Sequence, residues 1–247
     1  SSNAANPRQR VLDDVISAAL DKAPADCPVD VSLFIKLYYA NAALEDLRVR
    51  DPADLAGAAL QHLEFAIQRK PGRALTRVLN PEADEQGWDS QHTVVDVVND
   101  DMPFLVDSLG MVINEFGLYI HLTVHPVLVV RRDKDGRLIE VLSSIEDADD
   151  AQYESYVHLE IDRESDAKVF RNLERKVKSA LGDVRGAFED WSAMRRKARD
   201  ICRDLEDLPP PLDQTVIDEA QAFLEWMDDD HFTFLGYREY ELIKGPD

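Results

Sequence analysis

The chain has 247 residues, 45% of them hydrophobic and 31% charged, which describes a globular protein with a real core and one large or two modest domains. Its 49 acidic residues outweigh 28 basic ones, and a formal charge of −21 repels phosphate backbones and anionic lipid, so nucleic acid and membrane are excluded as partners. Cys27 and Cys202 form no C-x-x-C pair, no glycine pattern encodes a dinucleotide loop or P-loop, and a cytoplasmic location is expected.

Residues 1–4 read as a tag scar, and residues 1–72 as an N-terminal helical region broken at Pro24, Pro28 and Asp51-Pro52. In its third helix Asp51 is placed to cap, Pro52 takes the first helical position, and Leu55, Ala59, Leu63, Ala66 and Ile67 recur at helical spacing. Residues 73–91 read as a linker with short structure at most, because Asn80-Pro81 and EADEQG carry turn chemistry.

The period then changes. Residues 92–98 are valine-rich and predict a strand, 103–116 a helix with the stripe Leu105, Leu109, Val112 and Phe116, and 118–132 a long strand. Along that strand Leu118, Ile120, Leu122 and Val124 alternate with Tyr119, His121, Thr123 and His125. Asp135-Gly136 predicts a hairpin into 137–142, and a further strand follows over 153–162. Residues 165–181 predict a helix closed by Gly182. A helical extension over 183–230 carries a seam from Val184 to Leu205, and 231–247 form an aromatic strand that either closes this sheet or opens a following domain. The order strand, helix, strand, strand, helix, strand predicts an α+β fold, a ferredoxin-like βαββαβ antiparallel sheet with helices on one face, over residues 92–182.

The stretch VVNDDMPFLVDSLG marks the strand-to-helix corner. Helix N-terminal amides there can hold a carboxylate, and Asp100 and Asp101 can meet an ammonium group, together the two ends of an amino acid. The competing reading is that the aspartates only cap the helix. His121, His125 and His158, with Glu160, could converge on a metal if their strands are neighbours. Acid-base roles are conceivable for Asp96, Asp107 or Glu160, whereas Ser108 lacks the glycine-flanked elbow of a nucleophile.

HTVVDVVNDDMPFLVDSLGMVINEFGLYIHLTVHPVLVVRRDKDGRL, then YVHLEIDR, DVRGAFEDWSAM and DDDHFTFLGYREYEL, resemble the N-terminal region of the large bacterial NAD-dependent (NAD-specific) glutamate dehydrogenases. FIKLYYANAALEDL, PGRALTRVLNP and GWDSQHT are similar to the same region. The resemblance implies an ACT-like regulatory domain at the start of a long oligomeric enzyme that converts glutamate to 2-oxoglutarate and ammonia. NAD and the catalytic residues would then lie beyond Asp247, the remaining domains would be the partners, and an amino acid the candidate effector. The effector corner it implies comprises Asn99, Asp100, Asp101, Met102 and Phe104. Phe104 stands where typical ACT domains have a glycine and is expected to fill the pocket. Two alternatives stay open: an interaction scaffold without ligand, and a metal-dependent enzyme using His121, His125 and His158.

Overall fold

The computed structural model describes residues 6–205 and 213–240. It divides into two compact units, Ser1–Leu181 and Gly182–Asp247.

In the first unit, helices form where caps precede apolar stripes. Asn6 caps α1 (Pro7–Lys22), Asp30 caps α2 (Val31–Tyr38), and Asp51 caps α4 (Pro52–Ala66) through the Ala53 amide at 2.8 Å. A short α3 (Leu44–Arg48) links the last two. The buried residues of these helices, among them Val15, Phe34, Ile35, Tyr38 and Leu63, belong to one cluster with Val98, Val124, Leu128, Val130 and Tyr156 of the sheet. The expected N-terminal helical region therefore shares its core with the sheet.

The expected linker over 73–91 contains β1 (Leu75–Leu79) and the single turn α5 (Ala83–Gln86), closed by left-handed Gly87. β1 pairs antiparallel with β2 (Thr93–Asp100) and sets Arg77 opposite Asp96. The strand was hidden because its central residue is a cation whose partner is an aspartate inside the next strand.

The six-stranded sheet has the order β1-β2-β6-β4-β5. The long strand expected over 118–132 is broken at Pro126 into β3 (Ile120–Val124) and β4 (Val127–Arg132), which pair successively with the same side of β6 (Gln152–Ile161). β4 turns through Asp135-Gly136 into β5 (Leu138–Leu142), as the hairpin dipeptide predicts. A register shift between Ile120 and Leu122 breaks the expected alternation, leaving Ile120 partly exposed while Leu122 is buried. The place beside β2 that a βαββαβ unit gives to its last strand is held by β1, from earlier in the chain. Residues 231–240 form no strand, and the rest of that expected strand lies outside the described residues.

Both faces of the sheet are buried. Val94 and Val98 meet the N-terminal helices, yet Val95, Val97, Val157 and Leu159 on the opposite face are equally buried. That second face matches the buried stripes of α6 (Leu105–Glu115) and of the first half of α7 (Ala167–Asp204), which carry Leu109, Ile113, Leu173 and Val177. A strand buried on both sides reads as a near-continuous valine run, which is what β2 is.

α7 passes through Gly182 without the expected stop, because Gly182 keeps a helical φ instead of the left-handed one that closes α6 at Gly117. In the second unit Met194, Ala198 and Ile217 are buried, Asp213 caps α8 (Gln214–Trp226), and Arg195 and Arg199 pair with Asp228 at 2.7 and 2.6 Å.

Gly57 of α4 lies against Trp88, where an added Cβ would stand 2.4 Å from the indole's own Cβ. Alanine would gain about 1 kcal/mol of helix propensity, but overpacking of about 1–3 kcal/mol opposes it. Gly57→Ala is expected to lower the urea midpoint, whereas Gly110→Ala in α6, where the added carbon meets nothing within 4 Å, is expected to raise it.

Candidate functional site

The corner is built by the end of β2 and the start of α6. Asp100 accepts hydrogen bonds from Arg69 Nη2 at 2.8 Å and from the Gly72 amide at 2.9 Å. Asp101 accepts from Ser155 Oγ at 2.7 Å, and its own amide donates to the Tyr153 carbonyl at 3.2 Å. Asn99 is fully buried in register with Ser155, and Met102 is buried beside it in sequence. Neither aspartate caps α6: the N-cap position is Phe104, which makes no side-chain cap. At φ 66° Phe104 is the one non-glycine residue in the left-handed region among the described residues, the conformation a glycine would take without strain. The residue is half exposed, at 50%.

Behind the corner lies a buried ionic knot that the sequence reading missed. Glu154 accepts from Arg132 Nε at 2.7 Å and Nη2 at 2.8 Å, and from Arg69 Nη2 at 2.7 Å. Arg132 also donates to the carbonyls of Ala66, Ile67 and Gly136, closing the C-terminal end of α4 onto the β4–β5 turn. Burial alone would raise the Glu154 carboxyl, but the hydrogen bonds and charges of Arg132 and Arg69 more than reverse this and hold it low. The signal available beforehand was a pair of arginines ending the apolar strand β4 and a glutamate near the start of β6.

A second buried cluster joins α4, β1, β2 and β6. Asp96 Oδ1 accepts from His158 Nδ1 at 2.7 Å, and its Oδ2 accepts from Arg77 Nε at 2.8 Å. His62 Nδ1 lies 2.8 Å from the Tyr38 hydroxyl, and its Nε2 lies 3.2 Å from the Val97 carbonyl. Donation from Nε2 to that carbonyl leaves Nδ1 to accept from Tyr38. Among the described residues, His62, Asp96 and His158 are the group whose ligand atoms stand close enough for one ion. The Arg77 guanidinium already neutralises the carboxylate, and a divalent ion would sit beside that cation and displace hydrogen bonds already made.

The histidine trio expected on one face does not converge. His158 is in register with Val124, so it shares the face of Leu122 and Val124. His125 points the other way, its Nε2 3.2 Å from Ser155 Oγ. His121 stands at the bulge, pairs with Asp162 at 2.6 Å and stacks on His92 with ring centroids 4.4 Å apart. Glu160 bonds Arg50 at 2.7 Å, while Asp107 and Ser108 stand in the first turn of α6. The acid-base candidates are therefore dispersed: Asp96 and Glu160 are paired on the N-terminal helix side, and Asp107 lies on the other.

Burial lowers His62 from 6.5 to about 4, so its imidazole is neutral at pH 7. A folded value below the unfolded one gives stability that is present above pH 6.5 and lost as the pH falls from 6.5 to about 4. The loss amounts to about 3 kcal/mol by linkage. The urea midpoint is expected to fall between pH 7 and pH 5, and less steeply in His62→Gln. Some slope would persist, because burial lowers His125 as well.

The family described as glutamate dehydrogenase, ACT1 domain, matches residues 34–177, from α2 through the whole sheet into α7. The chain is 40% identical over 94% of its length to an NAD-specific glutamate dehydrogenase of Halomonas elongata, and 36% identical over 88% to one of Pseudomonas aeruginosa. A Mycobacterium tuberculosis protein of the same name is 23% identical over 78% of the chain. The matched stretch spans only 14%, 13% and 12% of those three relatives.

Proposed function

The chain belongs to the family of glutamate dehydrogenase ACT1 domains, and on that premise we propose that it is an ACT-like regulatory and assembly segment of an NAD-dependent glutamate dehydrogenase. The whole enzyme would be a cytoplasmic oxidoreductase converting L-glutamate to 2-oxoglutarate and ammonia. NAD would bind elsewhere in that enzyme, since this sequence encodes no dinucleotide glycine loop. The observation that carries the reading is a family match running unbroken from α2 to α7, across both the corner and the ionic knot behind it. The segment would act on a distant active site by biasing how domains or subunits are arranged. For location, the described helices include none long and apolar enough to cross a membrane.

The effector corner remains Asn99, Asp100, Asp101, Met102 and Phe104. A second reading, assembly without a ligand, is favoured by one observation: both aspartates already hold groups of the fold itself, Asp100 the Arg69 guanidinium and Asp101 the Ser155 hydroxyl. Calorimetric titration of the chain with amino acids separates the two. No saturable heat is expected from the native chain or from Phe104→Gly. Saturable heat that Asp101→Ala abolishes would instead establish a sensor. Purified alone, the chain is expected to reduce no NAD in the presence of glutamate, and any such turnover would overturn the assignment.

A further inference from the structure

In a chain carrying −21 overall, the β4–β5 turn gathers an unusual concentration of cations. Lys134 and Arg137 belong to the turn. Lys70 and Arg73 are brought beside it because the Arg69 amide donates to the Gly136 carbonyl at 3.0 Å and Gln68 bridges to Arg137. The approach is tight: a Cβ on Gly136 would stand 2.5 Å from the Arg69 carbonyl oxygen. Lys70, Arg73, Lys134 and Arg137 are all exposed, and none is in an ion pair within the described residues. Two aspartates share the turn, Asp133 accepting from the amides of Asp135 and Arg137, so the four cations exceed its carboxylates by two.

The other end of β5 is the opposite in sign. Residues 146–150 read EDADD, and Glu146, Asp147, Asp149 and Asp150 are exposed carboxylates without an ion pair within the described residues. The two clusters flank a single five-residue strand, a separation of about 17 Å. They therefore cannot neutralise each other within one molecule.

We propose that these two ends form a head-to-tail contact between copies of this chain, the basic turn of one seated on the acidic loop of the next. The rest of the surface is predominantly acidic and repels a second copy, so the complementary ends select the orientation of approach. Unlike patches meeting in this way make a heterologous interface, which closes into a ring or extends according to its rotation. Exposed charge pairs are individually weak, so association of the chain through this contact is expected only at high concentration and low salt.

Sedimentation velocity on the purified chain tests this up to about 1 mM, the range in which weak charge pairing is visible. Association is expected at about 50 mM salt and should weaken at least about tenfold at 500 mM. It should vanish in Arg73→Glu/Arg137→Glu and, separately, in Glu146→Lys/Asp150→Lys. Mixing the two variants sets the reversed turn against the reversed loop and the native turn against the native loop, so both junctions carry opposite charges and association should return. A chain that stays monomeric at low salt overturns the proposal, as does association indifferent to salt and to both reversals, or a mixture that fails to recover. Unchanged circular dichroism in each variant excludes misfolding as the cause of a loss.

Discussion

The first unit depends on the burial of Glu154 between two arginines. A carboxylate removed from water is stabilised only if charge and hydrogen bonds replace hydration, and Arg69 and Arg132 supply both. Those arginines come from different parts of the chain, one just after α4 and one at the end of β4, so the ion pairs also fix where these parts meet. Arg132 continues to the last carbonyls of α4, and Arg69 continues to Asp100 at the corner. The segment most naturally read as a ligand site is thus mechanically continuous with the join between helix layer and sheet. Removing one member would leave an uncompensated buried charge, at a cost of about 3–5 kcal/mol.

This arrangement gives physical content to the proposed regulatory role. A domain that influences a remote active site needs a rigid body through which a local change is felt elsewhere. The corner, the β4–β5 turn and the end of α4 share one set of hydrogen bonds, so a change in Asp100 is a change in the environment of Glu154. A softer, purely apolar connection would let the corner move independently.

Much of the architecture was legible in the sequence. Asp51-Pro52 started α4, the valine run gave β2, Asp-Gly made the hairpin, and the motifs around DDMPF pointed to the family. What escaped was long-range chemistry. Arg77 falls in the stretch read as linker and gains its meaning only once β2 places Asp96 opposite it, and the role of Arg69 depends on a glutamate far along the chain. The capping alternative for Asp100 and Asp101 rests on sequence proximity, which favours the nearest amides, whereas the fold offers a guanidinium and a serine hydroxyl instead. The histidine trio failed for a local reason, since one register relation, Val124 with His158, turns His158 away from His125.

The upstream origin of β1 limits how this protein can be taken apart. A fragment starting at residue 92 would keep the residues 99–104 and the motif by which the family is recognised, yet it would take Arg69 and Gly72 from Asp100, present β2 as a raw edge and strip Asp96 of its only arginine partner among the described residues. Such an excised cassette would carry a stranded anion and a naked template for strand addition. Modularity in this protein begins upstream of the motif by which it is recognised.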